Sequence, residues 1–289
     1  MTPREKIAMQ RATERRQQVR TRLSLAIVSV VAVVAIVVAF IVVKGMSSNK
    51  SGATGSLPTG TTLSKIVSDV TNVPASTLAA VRKGTVQTPP STVSGQPMLT
   101  QNGKPQIVYI GAEYCPYCAA ERWAMAVALS RFGTFSNLGV THSSTDPAEA
   151  YRGTNTLTFY KSTYSSPYIV FSPDEQTDPS RTTLQRPTAQ EQQLLSKFDA
   201  APYVPSAEAG AIPFIDFANR YLVSGASYSP QVLQGKTWSE IAAGLSNPSS
   251  PIAKAVDGTA NVLTADICKL TNDKPANVCS TAPINSLNK

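Results

Sequence analysis

Two apolar stretches of different length dominate the pattern of hydrophobic and polar positions along the chain. Leu23–Val43 is a run of 21 residues without a charged side chain. As a helix it would span roughly 30 Å, which is the thickness of the hydrocarbon core of a bilayer. Ile107–Ile110 is shorter and apolar throughout, which is typical of a central strand covered on both faces. The pattern therefore predicts a transmembrane helix near the N-terminus and a buried strand later in the chain.

The residues around the buried strand predict a hairpin and then a strand-to-helix turn. The dipeptide Asn102-Gly103 separates Met98–Thr100 from Gln106–Ile110, and this dipeptide is a typical two-residue hairpin turn. Apolar residues at helical spacing follow Cys115. We therefore expect Cys115 to lie where a central strand turns into a helix.

The rest of the chain predicts further strands and helices of an α/β domain. Thr188 followed by Glu191 is a capping box, and Ser250 before a proline is a natural helix start. Pro173–Pro187 is polar and contains three prolines, so we expect a loop there. Strands are expected at Leu138–His142, Thr156–Tyr160, Tyr168–Phe171, Pro213–Phe217 and Tyr221–Val223, and helices at Leu63–Val70, Ser76–Val81 (with Ser76 as the N-cap), Thr188–Phe198, Thr237–Ala243 and Ser250–Leu270.

The charged residues are distributed unevenly, and this distribution predicts the topology. The formal net charge is +8, but Met1–Arg22 holds seven basic and two acidic residues, and Lys44 adds a further positive charge. By the positive-inside rule the basic tail stays in the cytoplasm and the chain after Lys44 lies outside. A cleaved signal peptide is the alternative, but its apolar region is only about 7–15 residues long. We therefore expect a single-pass protein of the cell membrane.

The residues beyond the predicted span divide into a linker and one large domain. Residues 44–62 are rich in Ser, Gly and Thr, which is typical of a flexible linker. Residues 63–284 are then expected to form one extracytoplasmic domain. Residues 45–289 carry a net charge of only about +2, which gives no support to nucleic-acid binding. The basic tail is better interpreted as an orientation signal that faces anionic lipid.

The candidate chemistry lies in Gly111–Trp123, with the sequence G-A-E-Y-C-P-Y-C-A-A-E-R-W. C-x-x-C at a strand-to-helix turn is the pattern of a redox-active dithiol. The free N–H groups and the dipole at a helix start stabilise a thiolate on the first cysteine. Pro116 suits the first turn, where its missing N–H is no loss. We therefore assign Cys115 as the exposed nucleophile and Cys118 as the buried resolving thiol.

Two structural alternatives compete with redox exchange at this motif. A zinc site needs more ligands, because the only histidine is His142 and the spacing of Cys268 and Cys279 is not that of a zinc knuckle. An inert disulfide staple between Cys115 and Cys118 also fits the spacing. We expect no metal and no other cofactor.

Cys268 and Cys279 complete a set of four cysteines, and an even number fits an oxidising compartment. A bond between them would close a short loop and stabilise the fold by roughly 3 kcal/mol in the loop-entropy picture. A second redox pair that relays electrons to Cys115 and Cys118 is the alternative. Nothing at this spacing marks a thiolate at a helix start, so we assign a structural disulfide.

A second landmark is Ala211–Phe217, where a proline heads an apolar strand. C-P-Y-C after a strand, followed downstream by Ile-Pro and an apolar hairpin, resembles the thioredoxin-like superfamily. Together with F-I-D-F-A-N-R-Y and the C-terminal cysteine pair, the motif also resembles a membrane-anchored thioredoxin-like family of archaea and actinobacteria known as a domain of unknown function. The similarity covers most of residues 60–280.

The resemblance implies a three-layer α/β fold in which helices flank a central mixed sheet. It also implies a cis peptide bond before Pro213, next to the active-site cysteines, and backbone groups of Ile212 that pair with an incoming peptide. A trans proline that starts a strand is the alternative. Tyr114 and Tyr117 would frame a peptide-binding surface around the motif, or they pack without a binding role.

Three further residues in or near the motif are considered for a functional or structural role. Glu113 would relay protons to Cys118, but we expect a solvated position at the rim. His142 has no visible partner in the sequence and is interpreted as a bystander. Trp123 is expected in the core.

These patterns favour a membrane-anchored thiol–disulfide oxidoreductase that acts outside the cytoplasm through Cys115 and Cys118. Its partners would be proteins with thiols or disulfides and a redox partner in the membrane. The motif serves an oxidase, a reductase or an isomerase equally well. The alternative is a non-catalytic tethered binding or assembly module whose disulfides are structural. A copper-delivery protein is a weaker hypothesis, because only His142 and Met125 would supplement the cysteines.

Overall fold

The computed structural model of the protein describes residues 55–287. The basic tail, the transmembrane helix predicted at Leu23–Val43 and residues 44–54 of the linker lie outside the described residues. Among residues 55–287, no helix combines the length and the apolar character needed to cross a bilayer.

The described residues form a mixed α/β structure. The strands are β1 Ser91–Thr92, β2 Thr100–Gln101, β3 Lys104–Gly111, β4 Thr134–Ser136, β5 Gly139–His142, β6 Asn155–Thr158, β7 Thr163–Ser165, β8 Val170–Glu175, β9 Phe214–Phe217 and β10 Tyr221–Ser224. The helices are α1 Gly60–Thr71, α2 Ala75–Val81, α3 Pro116–Leu129, α4 Ala189–Phe198, α5 Trp238–Leu245, α6 Pro251–Leu270, α7 Ala276–Cys279 and α8 Ile284–Leu287, with a 3₁₀ turn at Pro230–Leu233.

Strand β3 is the centre of a mixed sheet of six strands. It pairs antiparallel with β9 along one edge and parallel with β8 along the other, and β9 continues to β10 and β1. Strand β2 joins the first residues of β3 through a two-residue turn at Asn102 and Gly103, whose φ angles are 52° and 75°. A type I′ hairpin turn requires positive φ at both positions, so the hairpin predicted at Asn102-Gly103 is confirmed.

The side chains of β3 alternate between two apolar cores. Ile107 and Tyr109 belong to the larger core, which contains α3, α5 and α6. Val108 and Ile110 belong to a smaller core against α4. Because neighbouring side chains of a strand point to opposite faces, helices cover the sheet on both sides. The prediction of a central strand buried on both faces is confirmed.

Helix α3 is the most deeply buried helix of the larger core. Every residue from Pro116 to Leu129 is buried except Tyr117. Five of its residues are alanines, whose small side chains let α6 and β6 approach closely. Trp123 is completely buried, as predicted, and its indole N–H donates to the carbonyl oxygen of Asn155 at 3.2 Å.

The strand predicted at Leu138–His142 is present as β5, and within residues 55–287 it pairs with β6 rather than with the central sheet, with Val140 opposite Leu157. The loop predicted at Pro173–Pro187 starts too early, because β8 continues to Glu175. Strand β3 offers parallel partners over that whole length, and this tertiary pairing overrides the local effect of the proline.

The helix starts are mostly those the sequence predicts. Thr188 and Glu191 form the expected capping box, and the Ser250 hydroxyl accepts from the N–H of Ala253 at 2.9 Å. The N-cap predicted at Ser76 is wrong, because α2 begins one residue earlier. The bond predicted between Cys268 and Cys279 is present and joins the end of α6 to α7.

A close backbone contact fixes the connection after α2 against α6. A Cβ atom at Gly258 would lie 2.7 Å from the carbonyl oxygen of Lys83 and 2.8 Å from the Cα of Gly84. These are backbone atoms, so they cannot move away by a change of rotamer. The N–H of Thr85 also donates to the carbonyl oxygen of Lys254 at 2.9 Å, which holds the connection in place.

Gly258→Ala is therefore expected to destabilise the fold by about 1–3 kcal/mol through overpacking, despite the better helix propensity of alanine. Gly244→Ala is the matched control, because the atoms nearest to its added methyl group belong to a side chain, that of Ile252. That variant should lose clearly less stability than Gly258→Ala. Urea unfolding measures both, and equal stabilities of the two variants would contradict the prediction.

Candidate functional site

The candidate site is the N-terminus of α3. Cys115 is the N-cap residue of the helix, and Pro116 occupies the first turn. The backbone N–H of Cys118 donates to the Sγ atom of Cys115 at 3.3 Å. Both cysteines are free thiols, so the structure shows the reduced form of the pair. The strand-to-helix turn predicted at Cys115 is confirmed, because β3 ends at Gly111 and α3 begins at Pro116.

The two sulfur atoms have different acidities. The hydrogen bond from the Cys118 thiol lowers the pKa of Cys115, assisted by the Cys118 backbone N–H and the charge of Arg122, while burial opposes the shift. Burial raises the pKa of Cys118 well above its ordinary value, and its hydrogen bond to Cys115 adds to this. Cys115 is therefore the thiol that loses its proton first.

Cys115 is less accessible than predicted. Only 5% of its surface is exposed, and Cys118 is completely buried. The expectation of an exposed Cys115 is therefore wrong, while that of a buried Cys118 is confirmed. The cause is the segment before β9, because the thiol of Cys115 donates to the carbonyl oxygen of Ile212 at 3.5 Å. The peptide bond between Ile212 and Pro213 is cis, as the family resemblance implies.

The aromatic residues of the motif have different surroundings. The guanidinium of Arg181 lies over the ring of Tyr114 at 3.8 Å from the centroid, and Arg181 also pairs with Glu149. This cation covers the ring of Tyr114 and links two loops beside the site. Tyr117 is 41% exposed, and its ring meets the edge of Tyr151 at a centroid distance of 6.1 Å. Tyr117 is thus the more accessible of the two tyrosines next to Cys115.

Glu113 does not lie at a solvated rim, so that expectation is wrong. It is 7% exposed, and its carboxylate accepts from the hydroxyls of Thr141 at 3.1 Å and Thr158 at 2.5 Å. Both threonines come from the small β5–β6 sheet. The contact between this small sheet and the loop before Cys115 therefore has a polar centre that sequence reasoning missed.

A buried ion pair beneath the cysteines was also missed. The guanidinium of Arg122 donates to both carboxylate oxygens of Glu175, at 2.6 and 2.7 Å, and neither side chain is exposed. Burial raises the pKa of Glu175, and the charge of Arg122 opposes that shift. The available signal was the charged pair Glu121-Arg122, which follows Cys118 on a helix whose other residues are mostly apolar. Its partner was hidden because Glu175 fell in the predicted loop.

The remaining predicted residues lie apart from the cysteine pair or have local partners. His142 has its Nδ1 atom 2.8 Å from the carbonyl oxygen of Ser143. Among residues 55–287, no three His, Cys, Asp or Glu side chains lie close enough together to hold a metal ion. Cys268 and Cys279 are bonded to each other and buried.

A family model described as a domain of unknown function, DUF929, matches residues 90–269. This segment is more than half of the chain. The chain belongs to the DUF929 family. The DUF929 segment contains Cys115, Cys118, Arg122, Glu175 and Pro213 and ends between Cys268 and Cys279. The predicted resemblance to a domain family of unknown function is confirmed to this extent. Neither the curated proteins nor the solved structures contain a match to the chain.

Helix α3 of this DUF929 member also carries a buried acid. Glu121 accepts from the backbone N–H of Ser227 at 2.8 Å and from its hydroxyl at 3.0 Å. Burial raises the pKa of Glu121 to about 7, although both hydrogen bonds oppose the shift. Because the folded protein holds this proton more tightly than the unfolded chain does, Glu121 favours the folded state at low pH. That contribution is lost as the pH rises through about 7.

Glu121→Gln is expected to remove this pH dependence, because glutamine keeps a hydrogen-bonding side chain and does not titrate. The free energy of unfolding of the variant relative to the wild type should rise by up to about 3 kcal/mol between pH 4.5 and pH 8. Urea unfolding at a series of pH values measures this difference. The other buried carboxylates are present in both proteins and cancel. A difference that stays constant across the series would contradict the prediction.

Proposed function

We propose that the protein is a thiol–disulfide oxidoreductase that works through Cys115 and Cys118. The observation that carries this proposal is the asymmetry of the pair at the start of α3. The sulfur of Cys115 accepts a hydrogen bond from a helix N-terminal N–H and has a lowered pKa, whereas Cys118 is completely buried with a raised pKa. An attacking thiolate and a protected resolving thiol need this difference.

We further propose that the mixed α/β domain has a thioredoxin-like fold. Three features support it. The C-P-Y-C motif follows the central strand β3 of a mixed sheet, helices cover both faces of that sheet, and β9 pairs directly with β3. In addition, the carbonyl oxygen of Ile212 lies against Cys115 at the head of β9, where the superfamily resemblance expects the peptide-pairing segment.

The exchange would take place in two steps. A substrate thiolate attacks the Sγ atom of Cys115 in the disulfide form, a mixed disulfide forms, and Cys118 leaves as a thiolate that takes up a proton. A second substrate thiolate then attacks the substrate sulfur of the mixed disulfide, and Cys115 leaves as a thiolate. The substrate loses two electrons, which reduce the Cys115–Cys118 disulfide. In the reverse direction the same steps reduce a substrate disulfide, and Cys118 resolves the intermediate.

The substrate segment would bind along Ile212 and Pro213. Its backbone would replace the hydrogen bond that the Cys115 thiol now donates to the Ile212 carbonyl oxygen. Tyr117 supports this role because it is the exposed aromatic residue next to Cys115, whereas Arg181 covers the ring of Tyr114. We therefore propose Tyr117 as the main apolar contact of the substrate and Tyr114 as a supporting residue.

We also propose that residues 23–43 anchor the protein in the cell membrane, with the catalytic domain outside the cytoplasm. The uncharged run and the basic tail before it support this topology. The Cys268–Cys279 bond is consistent with it, because disulfides persist mainly in oxidising compartments. The partners would then be extracytoplasmic proteins with thiols or disulfides, and a membrane protein that restores the redox state of the pair.

A redox titration of the full-length protein in detergent tests the proposed reaction. Cys115–Cys118 should titrate between about −270 and −120 mV, the range of thioredoxin-like exchange proteins, while Cys268–Cys279 should stay oxidised below about −300 mV. Alkylation and mass readout distinguish the two pairs, so the second pair is an internal control. Cys118→Ser should in addition trap mixed disulfides with partner proteins, and Cys115→Ser should trap none.

The burial of Cys115 favours a second candidate, a tethered binding module with an inert cysteine pair. In that case Cys115–Cys118 would resist reduction as strongly as Cys268–Cys279 does, and Cys118→Ser would trap nothing. Either result would contradict the exchange function.

The proposed topology predicts the accessibility of single cysteines introduced on either side of the span. In a background with Cys115→Ser and Cys118→Ser, which removes the two free thiols, a membrane-impermeant maleimide applied to intact cells should label Ser51→Cys and should not label Thr13→Cys until the cells are opened. The two variants differ only in the position of the new thiol, so each is the control of the other. Labelling of Thr13→Cys in intact cells would contradict the topology.

A further inference from the structure

We propose that Arg122, held in place by Glu175, is a positioning residue that stabilises the thiolate form of the Cys115–Cys118 pair and thereby makes its disulfide more oxidising. This inference rests on the exchange function proposed above. It assigns a role to a buried ion pair that the fold alone does not require, because an apolar pair of similar volume would fill the same space without the desolvation penalty of two charges.

The position of Arg122 on α3 directs it toward the cysteines. Arg122 follows Cys118 by four residues and Cys115 by seven, so all three project from one side of the helix. Cys118 and Arg122 are both completely buried. The guanidinium therefore lies in the same dry layer between α3 and the sheet as the resolving thiol.

Glu175 fixes the position of the Arg122 guanidinium at one end of strands β3 and β8. It is the last residue of β8 and stands opposite Gly111, the last residue of β3 before the loop that carries Cys115. One of its carboxylate oxygens also accepts from the N–H of Phe159 at 3.4 Å, and its own N–H donates to the side chain of Gln185 at 3.0 Å. With both carboxylate oxygens bonded to Arg122 as well, neither side chain can rotate freely.

One donor of Arg122 is not used by this ion pair. Its Nη1 atom is buried and, among residues 55–287, has no hydrogen-bond partner. The hydroxyl of Tyr109 is also buried without a partner in this part of the chain. The ring of Tyr109 folds over Gly111, since a Cβ atom there would lie 2.4 Å from the hydroxyl oxygen. Two unpaired polar groups thus lie at the level of Glu175, beneath the first turns of α3.

The charge of Arg122 acts on both sulfur atoms. The largest influence on the pKa of Cys115 is the hydrogen bond from Cys118, and the largest on Cys118 is burial, but the guanidinium lowers the pKa of both. Arg122 projects from the helix that carries Cys118, whereas Glu175 lies across from it at the end of β8, so the cation of the pair is on the side of the cysteines. In a dry interior the nearer charge dominates the interaction.

The consequence for the redox equilibrium follows from electron balance. Reduction adds two electrons to the Cys115–Cys118 disulfide and leaves two sulfurs that carry either a proton or a negative charge. A nearby cation stabilises the negative form and has no charge to act on in the disulfide. Arg122 therefore favours the reduced side, so the disulfide takes electrons from substrate dithiols more readily.

Two variants of the full-length protein in detergent should shift the pair in opposite directions. Arg122→Met combined with Glu175→Gln removes both charges, and it should raise the pKa of Cys115 and make the pair at least tenfold harder to reduce by glutathione. A tenfold change corresponds to about 30 mV. Glu175→Gln alone leaves the cation unbalanced, so it should lower the pKa of Cys115 and make the pair easier to reduce. The rate of alkylation as a function of pH gives the pKa.

Two further variants serve as controls. Arg122→Lys keeps a positive charge and should retain most of the effect of the wild-type residue. Arg131→Met removes another largely buried arginine that bonds to Asn261 and Thr264, but it lies about 20 Å along the helix direction from Cys118 and should change neither quantity. Thermal unfolding identifies any variant that is not folded. If the ion pair only stabilised the fold, the double variant and Glu175→Gln would not shift the pKa of Cys115, or the equilibrium constant for reduction by glutathione, in opposite directions.

The outcomes separate this inference from the proposed function. Unchanged values in a folded double variant, with normal exchange, would overturn the role of Arg122 and leave the exchange function intact. Shifts of equal sign in the double variant and in Glu175→Gln would also overturn it. If the wild-type pair does not exchange with glutathione at all, the proposed function fails, and the role of Arg122 in the redox equilibrium fails with it.

Discussion

The burial of helix α3, from which only Tyr117 is exposed, is the constraint on which the rest of the structure depends. The polar side chains of such a helix need partners inside the protein, because an unpaired buried group costs about 1–3 kcal/mol. Glu121 accepts a hydrogen bond from Ser227, Arg122 donates to Glu175, and the indole N–H of Trp123 donates to a backbone carbonyl oxygen. These contacts come from three separate parts of the chain, so they determine how β6, β8 and the segment after β10 pack around the helix.

The same burial gives the thiols of Cys115 and Cys118 different pKa values. Near its N-terminus the helix offers an N–H group to Cys115, and this group compensates the thiolate for the water that it has lost. One turn further along, burial outweighs the compensating charge of Arg122 and a backbone hydrogen bond, and it raises the pKa of Cys118. A single geometric fact, the depth of each sulfur along α3, thus produces one acidic and one protected thiol. The segment at Ile212 covers Cys115, and a substrate of the proposed exchange reaction would have to displace it.

The sequence predicts what depends on neighbouring residues and fails where distant residues decide. Asn102-Gly103, the capping box at Thr188 and the C-x-x-C turn are local, and all are found as expected. Glu113 was expected at the surface and Glu175 in a loop, because glutamate is rarely buried and a proline stands two residues before Glu175. Their burial depends on Thr141, Thr158 and Arg122, which lie far away in the sequence. No periodicity in the chain contains that information, although two adjacent charged residues, Glu121 and Arg122, on an otherwise largely apolar helix indicate that buried partners must exist.

The two cysteine pairs show how position decides the chemistry of the same functional group. Cys268 and Cys279 join the end of α6 to α7, both sulfurs are buried, and the bond holds a helix end to the following turn. Cys115 and Cys118 lie at the start of a helix, next to a buried cation and with two unpaired polar groups beneath them. A buried ion pair contributes little to stability compared with apolar residues of the same volume, so stability does not explain why it lies here. An electrostatic effect on the adjacent thiols explains it, since a charge acts most strongly where water is excluded.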